Sequence, residues 1–320
     1  MTSMTNKLGM CLIAGALVSG PARAELELVE GKLKADGFID MSATYLDGED
    51  DSTETISFDQ WEIDLYFTAV SNVTARVDIN DRTDGEGVFV EQAFVDYDFE
   101  NGFKARGGKF LSPLGYEGAE PTLLYQYSVS ATIIGYPGYA NGAALMYDMG
   151  FGSLYASVLD GSYSADEDAE NVSFETQAKF FPVEGLVLQA GYATEEFDDV
   201  TDEEGAVTEG YDKGIANFWA EYKTGGLTLA AEYNALFDAQ GADSDGDGYL
   251  VMANYAFGKA ALTLRHSAVE LDNDYEDTEF TISPSYKVSD NLLTLFEYRH
   301  DDYGDAGDTD LYALEAIFMF

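Results

Sequence analysis

The sequence predicts an all-β chain, a transmembrane antiparallel β-barrel of about sixteen strands. Segments of about ten residues alternate apolar and polar side chains, as strands with one face in lipid and one in water must. The connections between them alternate between short turns and long acidic loops. Beyond the N-terminus no stretch offers the roughly twenty apolar residues of a membrane helix, so a membrane-spanning form has to be a closed barrel.

Residues 1–24 read as a secretory signal: Lys7 near the start, an apolar run from Leu8 to Val18, and Ala22-Arg23-Ala24 before a cleavage point at Glu25. The remainder, 25–320, is one barrel domain. Cys11 is the single cysteine and lies in the signal, so disulfides and thiolate chemistry are excluded from the exported chain. Composition suits strands and tight turns, with 22 Tyr, 20 Phe and 32 Gly against 6 Pro. With Lys7 and Arg23 removed from the 16 basic residues and none from the 60 acidic ones, the formal charge falls from −44 to −46. Such a field excludes nucleic acid as a partner and concentrates cations. An acidic, salt-tolerant surface is the alternative source of the excess.

The strands begin at about Leu33. Gln60-Trp61-Glu62-Ile63-Asp64-Leu65-Tyr66-Phe67 puts Trp, Ile, Leu and Phe on one face and Gln, Glu, Asp and Tyr on the other. Val73 to Ile79 repeats the pattern, with Arg76 and Asp78 sharing a face. Ala216 to Tyr222 and Leu292 to Arg299 follow it less cleanly, and Gly142 to Asp148 and Leu227 to Tyr233 are rich in small residues.

Turn chemistry marks 70–72, 100–102, 182–185, 223–226, 256–258 and 288–291. Between these lie the long connections 47–54, 80–87, 112–138, 160–171, 195–212, 238–248, 271–277 and 301–310. Short periplasmic turns opposite long extracellular loops are the pattern of outer-membrane barrels. The last segment, Leu311 to Phe320, is an apolar strand ending on an aromatic residue. It is similar to the terminal strand of Gram-negative outer-membrane proteins, whose final Phe is read by the barrel-insertion machinery.

Glu91-Gln92-Ala93-Phe94-Val95-Asp96-Tyr97, followed by Gly107-Gly108-Lys109-Phe110-Leu111-Ser112-Pro113-Leu114-Gly115-Tyr116-Glu117, resembles the strand-strand-loop signature of β-barrel porins of the porin-2 type, distant relatives of the phosphate-selective porins. The resemblance implies an outer-membrane diffusion channel for small hydrophilic solutes, commonly a homotrimer, set in outer-membrane lipid and lipopolysaccharide. It also implies a third long loop folded inward as the constriction. That loop is 112–138, and its composition agrees: Pro113, Pro121 and Pro137 stiffen it, Gly115, Gly118, Gly135 and Gly138 permit turns, and only Glu117 and Glu120 are charged. Phosphate-type relatives rely on many lumen arginines and lysines, and this chain departs from that. Selectivity for an anion or a sugar stays open beside cation preference.

Strand phase places Glu62, Asp64, Asp78 and Asp96 in the lumen with Arg76, Lys104, Arg106, Arg265 and Arg299, and the loop brings Glu117 and Glu120 opposite. Facing charges of opposite sign set a transverse field, and the acidic surplus favours cations. Mutual pairing at wide points is the competing reading. The alternatives to a channel are an adhesin barrel and an outer-membrane enzyme, which would need a histidine beside a nucleophile or a water-activating acid. The chain has only His266 and His300, both phased toward the lipid side. No cofactor is expected, except calcium held weakly in an outer loop by Asp243, Asp245 and Asp247, whose spacing opens like an EF-hand. The twelfth position there is Asn254, not the Glu that such a loop uses.

Overall fold

The computed structural model describes residues 26–48, 51–83, 87–163, 171–201, 207–208 and 210–320. The signal expected at 1–24 lies outside them. Sixteen strands form the barrel: β1 Leu33–Gly48, β2 Ser52–Val70, β3 Val73–Arg82, β4 Phe89–Asp98, β5 Phe103–Leu111, β6 Tyr139–Asp148, β7 Gly152–Asp160 and β8 Val172–Phe180. The second half is β9 Leu186–Phe197, β10 Tyr211–Thr224, β11 Leu227–Phe237, β12 Gly246–Phe257, β13 Ala260–Leu271, β14 Glu276–Lys287, β15 Leu292–Asp302 and β16 Asp308–Met319. Each strand pairs antiparallel with its sequence neighbours, and β16 returns to β1 from Thr309↔Gly48 to Met319↔Phe38. The sheet therefore has no free edge, which a lipid-facing sheet cannot tolerate.

A short strand, Leu26–Val29, pairs with the foot of β1, and a hairpin of 200–201 with 207–208 lies between β9 and β10. No α-helix occurs among the described residues.

Alternation along each strand decides what faces where. In β12, Tyr249, Val251 and Tyr255 are exposed while Leu250, Met252 and Asn254 are buried; in β10, Phe218 and Tyr222 face out and Asn217, Trp219 and Glu221 face in. The outer surface is an apolar, aromatic belt and the interior is polar, inverse to a soluble protein and suited to a bilayer. Seven turns at one end are short, down to Gly225-Gly226, and the long connections gather at the other. The connection between β5 and β6 is the exception. It turns inward, carrying the short 3-10 turns Pro121–Leu123 and Ala131–Gly135.

Candidate functional site: a loop folded into the barrel

Loop 112–138 folds into the lumen and is held there by two kinds of contact. One is apolar. Leu114, Ala131, Ile134 and Tyr136 pack on Ala193, Ile215, Leu236, Val269 and Leu271, and Tyr116 with Tyr125 packs around Trp219, Ala230, Leu250 and Met252. Burying one such Leu stabilises by about 1.5–3 kcal/mol. Close approach needs small residues: a Cβ on Gly115, whose φ is +93°, would stand 2.4 Å from the Tyr136 ring, and one on Gly191 of β9 would stand 2.1 Å from Leu114.

The other contact is polar and uses wall carboxylates as acceptors for the loop. Glu232 of β11 accepts from the Tyr116 amide at 2.9 Å and from the Tyr136 hydroxyl. Glu297 of β15 accepts from the Tyr127 amide at 2.8 Å, and Glu279 of β14 from the Ala131 amide at 3.0 Å. The Tyr116 hydroxyl donates to Glu221 of β10 at 3.0 Å. Burial, and after it the neighbouring Glu221 and Glu232 carboxylates, hold the Tyr116 and Tyr136 phenols well above their ordinary range, so both remain donors.

Arg265 of β13 ties these contacts together. Its guanidinium is fully buried and donates to Glu117 at 2.9 and 3.2 Å, to the Ser128 carbonyl at 2.7 Å and to the Val129 carbonyl at 3.1 Å, with Glu279 at 3.3 Å. One side chain thus joins both limbs of the loop to the wall.

On the far wall, built by β2 to β5, the charges are arranged otherwise. Arg76 pairs with Asp78 at 2.7 Å and Asp64 at 3.3 Å, and reaches Glu120 of the loop at 3.6 Å. Arg106 grips Asp96 at 2.8 and 3.0 Å over the face of Phe94, and Lys104 stands 3.9 Å from the same carboxylate. Arg82 pairs with Glu91. Here the carboxylates lie against the wall, while Arg76 and Arg106 keep 24% and 19% of their side-chain surface accessible.

The sequence-derived residues therefore separate into two groups. Glu120 and Arg76 meet across the lumen. Glu117 goes to Arg265 and not to Arg76 or Arg106, and Arg265 is a buried tether and not an open lumen charge. Arg299 pairs with Asp301 at 2.9 Å on β15.

Oxygen atoms of Glu62, Asp64 and Asp78 lie within 4.8 Å of one another, but the Arg76 guanidinium occupies the same patch and neutralises two of the three. Asp243, Asp245 and Asp247 are not gathered in this way. All three are exposed, and Asp245 accepts from the Asp238 amide to shape the turn. The residues that sequence reasoning missed are Glu232, Glu279 and Glu297. Their available signal was an acidic residue in inward phase on strands whose neighbouring inward positions are small, such as Ala230 beside Glu232.

Both histidines sit on the outer face. His266 contacts the Tyr249 hydroxyl at 3.0 Å and the Glu279 carbonyl at 2.7 Å, and His300 pairs with Asp310 at 2.9 Å. Neither meets a nucleophile in the lumen.

A closed sixteen-stranded barrel with an apolar exterior, a polar interior and an internal loop is a transmembrane channel of the outer-membrane class. The chain belongs to the Gram-negative porin family, whose model matches residues 11–306. It is an outer-membrane protein. Among solved structures, OmpF of Salmonella typhi, in complex with daunomycin, is similar with a TM-score of 0.71 at 12% identity, covering 92% of this chain and 100% of that one. OprB of Pseudomonas putida gives 0.67 at 11% identity over 90% and 94%. An anion-selective porin from Comamonas acidovorans gives 0.65 at 12% identity over 90% and 99%. At such identities the likeness is one of fold. No curated protein matches the chain in sequence.

Proposed function

We propose that this porin is a passive diffusion channel for small hydrophilic solutes, that loop 112–138 is its constriction, and that it prefers cations. The observation that carries the reading is the crossing of the lumen by that loop, with Glu117 tied to β13 and Glu120 facing Arg76 on β3. What remains open to solutes is the water path beside the loop. Cation preference is supported by the surplus of inward carboxylates. The chain as a whole carries 60 Asp and Glu against 16 Lys and Arg. The fold itself does not set the sign, since an anion-selective porin shares it. Assembly as a homotrimer is supported by a related structure described as a trimer form, OmpT of Vibrio cholerae. Outer-membrane lipid and lipopolysaccharide fit the aromatic exterior.

The test is single-channel recording of the refolded chain in a planar bilayer under a salt gradient. A reversal potential of cationic sign is expected. An anionic sign would overturn the selectivity while leaving the channel, and well-folded protein without current would overturn the channel itself.

A further inference from the structure

Charge is distributed unequally along the barrel axis. At the long-loop end, the connections 49–51, 83–88, 112–138, 161–171, 198–210, 238–245, 272–275 and 303–307 contain no Lys or Arg at all. Exposed carboxylates there include Asp51, Asp198, Asp199, Asp243, Asp272 and Asp305. The short-turn end is mixed. Lys32, Lys104, Lys179, Lys223, Lys259 and Lys287 all lie in its turns or at the strand ends that feed them, whereas the strand ends at the long-loop side hold Lys109, Lys213 and Arg82, the last paired with Glu91. Several offset carboxylates directly, with Lys287 to Asp290 at 3.1 Å and Lys223 to Glu221 at 3.0 Å. Loop 112–138 separates the two mouths.

We propose that this asymmetry makes the channel a rectifier that passes cations more readily from the long-loop mouth to the short-turn mouth; the proposal rests on the cation-preferring reading above. The physical argument concerns accumulation. Cations are concentrated at the acidic mouth by its negative potential. When they are driven inward from there, they enter the constriction at raised concentration, and anions arriving from the other side are held back at the same mouth. Both signs then build up in the narrow zone and its conductance rises. Under reversed voltage the zone is depleted and conductance falls. The effect needs a screening length comparable with the mouth. It is present near 0.1 M salt, where that length is about 10 Å, and vanishes near 1 M, where it is about 3 Å.

The experiment is a current–voltage curve of single channels in symmetric KCl. Orientation is fixed by a Cys placed as Asp243→Cys and labelled from one side with a bulky impermeant maleimide. At 0.1 M the current with the long-loop side positive should exceed the reverse current by about twofold or more, the ratio that a mouth potential near one kT produces. In 1 M salt the ratio should approach one. The combined variant Asp198→Asn, Asp199→Asn, Asp272→Asn, Asp305→Asn should shrink the low-salt ratio, and Lys259→Gln with Lys287→Gln should change it less. Equal currents at 0.1 M, or a larger current in the opposite sense, would overturn the proposal. The reversal potential judges the cation reading separately: a cation-preferring channel with symmetric currents keeps that reading and removes this one, whereas an anionic reversal potential removes both.

Discussion

Two arginines, Arg265 and Arg76, face the same lumen from nearly opposite walls, yet they do different work. Arg265 is buried completely, and its donors go to Glu117, to the carbonyls of Ser128 and Val129, and to Glu279. Arg76 lies over Asp64 and Asp78, keeps part of its surface in water and touches the loop at one point, Glu120. The first wall holds the loop and the second leaves the path. Formal charge in a channel interior is therefore a poor guide to the field that a solute meets, because a buried charge whose bonds go to the loop and the wall is structural, while a partly exposed one acts on what passes.

That contrast can be broken hardest at the holding wall. Arg265→Ala leaves Glu117 and Glu279 buried without their cation, and removal of one partner of a buried pair costs about 3–5 kcal/mol. The expected result is a lower unfolding temperature together with larger and noisier single-channel current; quiet wild-type current would show that the apolar packing alone fixes the loop. Glu232→Ala comes next. It strips acceptors from the Tyr116 amide and the Tyr136 hydroxyl, at about 1–3 kcal/mol for buried donors left unmade. Conductance fluctuation should rise, less than for Arg265→Ala.

On the free wall the order of effects reverses. Glu120→Gln keeps a side chain of the same shape and leaves Arg76 its pairs with Asp64 and Asp78, so it should cost less stability than Arg265→Ala, but it should lower cation preference measured as reversal potential. A variant with unchanged selectivity would place the selective point elsewhere along the path. The smallest effect belongs to the exterior. His300→Ala breaks an exposed pair with Asp310, and conductance equal to wild type is expected.

Much of the fold was legible because a barrel strand answers to a single rule of alternation. Gln60 to Phe67 shows both faces at once, and the long connection from Ser112 to Gly138 stands out because Glu117 and Glu120 are its only charges. The strands that receive the loop were harder to read. Leu227 to Phe237 must accept Tyr116 and Tyr125 against its inner face, so Ala230 stands where a larger inward residue would collide, and the expected contrast between faces fades. Partner choice was less legible still. Glu117 has two candidate arginine clusters within reach of strand-phase reasoning, and only the path of the loop backbone from Pro113, gripped by Gln177 at 2.5 Å, decides for Arg265.

The seam between β16 and β1 has a kinetic consequence. Every other barrel pairing joins neighbours in the chain and can form as hairpins extend, but this one joins Met319 to Phe38 and the Phe320 carbonyl to the Gly37 amide at 3.1 Å. It closes almost the longest loop that the sequence permits, so its ordering entropy comes due at the end, after every local gain has been collected. Until then both terminal strands present unpaired backbone, and the chain is an open sheet exposed to mispairing and aggregation. Assembly of this barrel should accordingly be limited by that last zipping step, and shortening the chain by its final strand should abolish closure while leaving the internal hairpins free to form.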